Sequence, residues 1–483
     1  MLVRHRFYYF GKGKSRIIWS ARLTRGSPQP TVTSDEGSWP SHGAEADTPY
    51  DVAFGESRFV ADDSRIPPPS VAYADTVTDG DLIHALQLLA PAADMPVVEK
   101  IGRRQAIPIL YTRGTHYEVG FDVGRTFSGI IQSFLAKATS LNEEYLPAYE
   151  TDTGRRAYED TLAAVKKNYP QYVQELQGTA DGAKVPFHKL FLLHMDEITP
   201  NVVGRPANQG TNGCSTICIN HPGQEYIGHT EDALAETLNH VYLVSAHITS
   251  PEPQGRWKVS EEKFTALCYA GCLPGFCMGY NHHGMVFTVN IIKAARLNAG
   301  KTPRHFLTRA LLNCDNFEAA QHVLRDEGCG AGDGVSINMT FLNQEGDRLF
   351  HNAEVGPSCD ADCRSPLNIL TCSPGEHIFH CNKYLRLKIP EVGGMIVSSS
   401  DARHATMEAQ PDPFTLQDVI RVMGDQSHPE HNIFREAGDD DFVKTVAVGI
   451  FDCVNRTWSL YTDNPKTHDP VVVLPLQIRK PSK

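Results

Sequence analysis

The stretch 211-TNGCSTICIN-220 decides how the rest of the chain is read. An Asn-Gly pair lets the backbone bend sharply, a cysteine follows at once, and a β-branched run then reads as a strand. Before this point the pattern is mainly helical. After it, strands dominate. Cys214 therefore stands where the chain changes character, between an exposed loop and a rigid element, a place that combines access with fixed orientation.

Working upstream, 198-ITPNVVGRPANQGTNG-213 is dense in Pro, Gly and Asn and predicts a loop. Before it lie AIPILYTRG, read as a strand, and apolar residues at three- and four-residue spacing in EVGFDVGRTFSGIIQSFLAKA, read as one helix. RRAYEDTLAAVKKNY, PQYVQELQGTADGAK and VPFHKLFLLHMDEI predict three more helices. Downstream, QEYIGHTED, HVYLVSAHI, FTALCYAG and MVFTVNII read as strands, with SINMTFLN, RLFHNAEV and a closing VKTVAVGIFD/TWSLYTD hairpin after them. Helices are predicted at TPRHFLTRALLN, NFEAAQHVLRDE and TLQDVIRVMGD. Blocks of helices and blocks of strands imply an α+β fold with antiparallel sheets covered by helices.

Two domains are expected in functional terms. Residues from about 26 to 80 are rich in Ser, Pro, Asp and Gly, and residues 1–105 predict a mostly disordered extension, with one short helix at DLIHALQLLA. Residues 106–483 carry the periodic pattern and form the folded unit. The chain has 483 residues and a formal charge of −12. That charge excludes a nucleic-acid binder, and no apolar run reaches the roughly 18 residues of a membrane span. The N-terminus has basic residues but no continuous apolar segment, so a secretory signal is not expected. The expected location is the cytoplasm, with a mitochondrial presequence as the lesser alternative because no acidic residue precedes Asp35.

Twelve cysteines at irregular spacing do not make a disulfide scaffold. CYAGCLPGFC and CDADC lack zinc-ligand spacing, and adjacent His282 and His283 on a strand point to opposite faces. No metal and no cofactor are expected. GCGAGDGVS lacks the GK[ST] ending of a phosphate loop, and no GxSxG elbow is present.

Gly213-Cys214 opening a strand, 228-GHTEDALAETLNH-240 and 380-HCN-382 together resemble the acyl-coenzyme A:6-aminopenicillanic acid acyltransferase family of N-terminal-nucleophile hydrolases. The resemblance runs from about residue 107 to 478 through long segments such as IPILYTRGTHYEVGFDVGRTF, VPFHKLFLLHMDE and GKTPRHFLTRALL. It implies a four-layer αββα sandwich with two antiparallel sheets. It also implies a precursor that cuts itself between Gly213 and Cys214 into a helical 106–213 fragment and a 214–483 fragment, which stay associated, with a higher oligomer as a further option.

The resemblance further implies roles for particular residues. Cys214 becomes an N-terminal nucleophile whose own α-amine, with an ordinary pKa near ~8, serves as base. Asp232 holds the new ammonium or the thiol, and Asn382 donates to the oxyanion. Where the family carries an arginine this chain has Phe442, which leaves Lys444 or Arg403 to supply positive charge. The implied activity is hydrolysis of N-β-alanyl biogenic amines, small molecules bearing a terminal ammonium and a flat aromatic amine. Glu231 is the expected contact of that ammonium, although strand alternation turns it away from Asp232. Tyr269, Phe276 and Tyr280 are the expected aromatic wall. An acyltransferase that passes the same thioester to an amine or coenzyme A is one alternative. An uncleaved binding protein is the other.

Overall fold

The computed structural model describes residues 102–204, 213–359, 362–436 and 443–479, together with the backbone of residues 5–11 and 14–20. The chain divides into two units, Met1–Pro91 and Ala92–Lys483. In the first, strands β1 (His5–Gly11) and β2 (Lys14–Ser20) pair antiparallel. The DLIHALQLLA helix, residues 205–212 and Phe442 lie outside the described residues.

Two sheets build the second unit. The larger has eight strands in the order β12-β11-β10-β9-β8-β7-β6-β3: β3 Ile109–Gly114, β6 Val241–Thr249, β7 Glu261–Tyr269, β8 Met278–Asn281, β9 Met285–Ile292, β10 Gly334–Phe341, β11 Phe350–Val355 and β12 Leu367–Cys372. The smaller has six in the order β13-β4-β5-β14-β15-β16: β4 Ser215–His221, β5 Gln224–Leu234, β13 Glu376–His380, β14 Val443–Asp452, β15 Thr457–Tyr461 and β16 Val472–Pro475. All their pairings are antiparallel except β3 with β6, an edge pairing that is parallel. β3 can lie parallel because the chain leaves it through a helical layer before returning as β6.

Eleven described helices flank the sheets: α1 His116–Thr126, α2 Ser128–Lys137, α3 Leu146–Tyr149, α4 Asp152–Asn168, α5 Pro170–Ala183, α6 Phe187–Met195, α7 Ile198–Val202, α8 Arg304–Leu311, α9 Phe317–Arg325, α10 Met395–Glu408 and α11 Leu416–Met423. Three hydrophobic clusters define the layers. Val119, Ile131, Val165, Leu176, Phe191 and Phe306 of α1–α8 pack on Tyr242, Val244, Phe264 and Val289 of the larger sheet. Leu243, Leu267 and Val286 on its other face meet Cys218, Ile227, Phe451 and Trp458 of the smaller sheet. Val419, Val422 and Met423 of α11, with Met407 of α10, cover Ile217, Ile219, Val448 and Ile450 on the outside. The order of layers is helix, sheet, sheet, helix, as expected.

Local chemistry explains the element ends. Thr115 and Glu118 form a capping box at α1, and Thr415 and Asp418 form another at α11. α1 and α5 cross closely because glycines recur four apart on each. A Cβ at Gly120 would lie 1.9 Å from Glu175 O, and one at Gly182 would lie 2.2 Å from Phe121 O. The single helix expected across EVGFDVGRTFSGIIQSFLAKA is broken at Phe127, whose ring is buried and stacks on Tyr242 at 4.0 Å. The expected loop after Glu197 begins as the short helix α7.

Candidate active site

Cys214 immediately precedes β4, and its side chain is only 3% exposed. Ser215 pairs with Thr230 of β5, which brings Cys214 beside Glu231 and Asp232. Strand alternation then sorts their neighbours. His229 and Glu231 share the face toward the larger sheet, with His229 Nε2 3.1 Å from Glu231 Oε2. Thr230 and Asp232 share the opposite face, where Thr230 Oγ1 donates to Asp232 Oδ2 at 3.3 Å. The Cys214 sulfur lies against the His229 and Glu231 face, and of Asp232 it meets the backbone N–H and feels the charge.

The thiol donates to Glu231 Oε1 at 3.7 Å. The same oxygen accepts a 2.5 Å hydrogen bond from Tyr269 OH at the end of β7. Burial first, then the negative charges of Glu231 and Asp232, push the Cys214 thiol well above its ordinary range. A backbone hydrogen bond from Asp232 and the Arg403 charge oppose this more weakly. In the intact chain the sulfur is therefore held as a thiol, and a base must act before it becomes a nucleophile. Asp232 is pushed up to about 6 by burial, against the pull of Arg435 and Arg403 and a 2.6 Å hydrogen bond from Thr445 Oγ1.

Arg403 of α10 ties this group together. Its Nη1 donates to Cys214 O and Ser215 Oγ, both at 2.8 Å, and its Nη2 donates to Asn382 Oδ1 at 2.9 Å. Asn382 in turn donates from Nδ2 to Ile291 O at 2.9 Å, which fixes its amide between β9 and α10. Gly213 is seated against two guanidinium groups: a Cβ there would lie 2.7 Å from Arg435 Nη1 and 3.0 Å from Arg403 Nη2. Lys444 pairs instead with Glu436 at 2.9 Å. Of the two cations considered for the place of Phe442, only Arg403 contacts Cys214. Arg435, which had no sequence motif to announce it, joins it beside Gly213.

Cys214, Asp232, Asn382, Glu231, Tyr269 and Arg403 are thus brought to one place. Phe276 lies one step away, with its ring 6.1 Å from Tyr269 and stacked on His305 at 3.7 Å. Tyr280 is not brought to the sulfur. Its ring packs edge-on to Trp458 and its hydroxyl reaches Pro475 O, a core position rather than part of a wall around Cys214. The geometry also redirects Glu231. Hydrogen bonds from the thiol and Tyr269 engage its Oε1, and His229 Nε2 lies against its Oε2, so both oxygens already have partners within the protein. Cys214, His229 and Glu231 are close enough, with donor atoms within 4.8 Å of one another, to close on a cation; internal hydrogen bonds occupy them here. Among the described residues every cysteine is free, and no helix is long and apolar enough to cross a membrane.

Residues 219–467 match the model of the acyl-coenzyme A:6-aminopenicillanic acid acyl-transferase family. The chain is 52% identical over 378 residues to a beta-alanyl-dopamine/carcinine hydrolase of Drosophila melanogaster, across 77% of this chain and 97% of that protein. A mutant conjugated bile acid hydrolase of Clostridium perfringens aligns at 10% identity with a TM-score of 0.30. That alignment covers 52% of this chain and 89% of that one, a likeness too slight to bear on the fold.

Proposed function

Because this chain belongs to the acyl-coenzyme A:6-aminopenicillanic acid acyltransferase family, we propose that it is a self-processed cysteine amidohydrolase of N-β-alanyl amines. Its substrates are N-β-alanyldopamine, released as dopamine and β-alanine, and carcinine, released as histamine and β-alanine. The observation that carries this reading is Cys214 itself. It is a buried thiol at the head of a strand, bonded to a carboxylate, its carbonyl held by Arg403 and its preceding residue a glycine wedged between two arginines.

Scission of the Gly213–Cys214 bond turns the Cys214 nitrogen from an amide into an amine with a pKa near ~8. That amine takes the thiol proton, and the sulfur attacks the substrate carbonyl carbon. Asn382, its Oδ1 held by Arg403 and one Nδ2 hydrogen by Ile291 O, offers its other Nδ2 hydrogen to the oxyanion of the tetrahedral intermediate. The amine product leaves with the proton, and a β-alanyl thioester remains on Cys214. Water attacks that thioester, and β-alanine is released. Asp232 serves as counterion to the new ammonium, whose charge replaces the neutral peptide group and offsets the burial that lifts this carboxyl.

Mass spectrometry of the purified full chain, with assay of carcinine hydrolysis, tests the reading. Two fragments divided at Gly213–Cys214 and release of β-alanine are expected from the wild type, and a single inert chain from Cys214→Ala. An uncut wild-type chain that hydrolyses carcinine as fast as a cut one refutes it.

A further inference from the structure

Self-cleavage poses a chemical problem that substrate hydrolysis does not. The α-amine that serves as base in the cleaved protein is still a peptide nitrogen in the precursor and takes no proton there. A run of buried side chains behind Cys214 supplies an answer. Arg386 Nη2 donates to Asn352 Oδ1 at 2.5 Å. Asn352 Nδ2 donates to Asn338 Oδ1 at 2.8 Å, and Asn338 Nδ2 donates to Asn290 Oδ1 at 2.8 Å. Asn290 Nδ2 donates in turn to the backbone carbonyls of Cys214 at 3.0 Å and His380 at 3.4 Å. Guanidinium groups only donate and carbonyls only accept, so both ends of this run are fixed and every amide between them has one allowed orientation.

The consequence reaches His229. With Asn290 Oδ1 facing it at 2.8 Å, the Thr216 hydroxyl must donate to that oxygen. Its remaining lone pairs then face His229 Nδ1 at 2.7 Å, so Nδ1 carries a hydrogen. The other ring nitrogen, Nε2, lies 3.1 Å from Glu231 Oε2. A neutral imidazole protonated at Nδ1 and an ionised carboxylate would set two acceptors face to face in the protein interior. One proton must lie between them. Asn338, Asn290 and His229 show no exposed surface, and Thr216 and Asn352 are 1% exposed, so water does not relax this requirement.

We propose that Glu231 is the base of the self-cleavage step, in a proton-sharing pair with His229 whose tautomer is dictated by Thr216, Asn290 and the amides behind them. The proposal rests on the self-processing reading above. The proton between Nε2 and Oε2 leaves Oε1, already bonded to the thiol, as the oxygen that receives its hydrogen. The Sγ–C bond to Gly213 forms as that proton passes to Glu231. The C–N bond then breaks, and Glu231 returns the proton to the Cys214 nitrogen, which becomes the α-amine. Water hydrolyses the thioester to the Gly213 carboxylate and the free thiol, and the pair ends as it began. Asp232 does not serve here, because Thr445 and Thr230 on the opposite face occupy both its oxygens. Glu231 acts on the reacting sulfur; His229, Thr216 and Asn290 are positioning residues.

The test follows appearance of the two fragments after cell-free synthesis of the full chain. Glu231→Gln is expected to slow cleavage about a hundredfold or more, the range of general-base loss. Thr216→Val is expected to slow it about tenfold, and Thr216→Ser, which keeps the hydroxyl, to cleave within about twofold of wild type. The second measurement does not depend on how those variants fold. In uncleavable Cys214→Ala with ¹⁵N-labelled histidine, the His229 resonance, assigned by its loss in Cys214→Ala/His229→Gln, should show a protonated Nδ1. A wild-type rate for Glu231→Gln, or a neutral His229 with its hydrogen on Nε2 alone, overturns the proposal while leaving self-processing intact. A wild-type chain that never divides refutes the self-processing reading instead.

Discussion

Asp232 is placed where function and stability oppose each other, and replacing it with Asn measures the conflict. Its carboxyl is 1% exposed and is pushed up to about 6 from 3.8, mainly by burial, with Glu231 adding repulsion and Arg435, Arg403 and Thr445 working against the rise. A folded-state value above the unfolded one means that the folded chain binds more protons between the two. Stability from this group is therefore fully present below about pH 4, falls as pH rises, and levels off above about 6. A rise of that size corresponds to about 3 kcal/mol. The comparison is urea unfolding of intact Cys214→Ala against Cys214→Ala/Asp232→Asn between pH 4 and 7. Subtracting one curve from the other removes the titration of all shared groups. The double variant should gain about 2.4 kcal/mol relative to the single variant as pH rises across this window, the rest of the difference lying below pH 4. Parallel curves would show that Asp232 is ionised at no net cost, and the argument that it awaits the new ammonium would fall with it.

Three other substitutions probe separate parts of the structure. Arg403→Met removes the donors to Cys214 O, Ser215 Oγ and Asn382 Oδ1, so it should abolish fragment formation on gels and lower the unfolding midpoint. Asn382→Ala, assayed in whatever fraction matures, should lower kcat for carcinine about a hundredfold, the ~3 kcal/mol of one oxyanion donor, with KM little changed. Arg309→Met leaves Glu175, Glu262 and His116 buried together without their cation, and chemical denaturation should show a loss of about 3–5 kcal/mol.

Much of this molecule was legible one segment at a time. The helices from α4 to α6, α8, α9 and α11 follow from apolar spacing, and β6, β7, β9, β10, β14 and β15 from runs bounded by turn residues. The elements that escaped are those whose pattern is weak. α10 is MIVSSSDARHATME, with three consecutive serines and no apolar stripe, yet it delivers Arg403 to Cys214. β12 and β13 are short, and most of LNILTC is half-buried or exposed because it lies at an edge of its sheet.

The sequence by itself singled out Cys214, because a bend, a cysteine and a strand are local events written in consecutive residues. The resemblance to a family, and not the local pattern, pointed to Asp232, Asn382 and Glu231. Only the tertiary structure decided what those groups do to one another. His229, Thr216, Asn290, Asn338 and Asn352 come from five strands in two sheets, and nothing in their spacing along the chain relates them. Their hydrogen bonds exist because strand register and sheet stacking bring them into bonding distance, and burial then forbids any of them to be left without a partner.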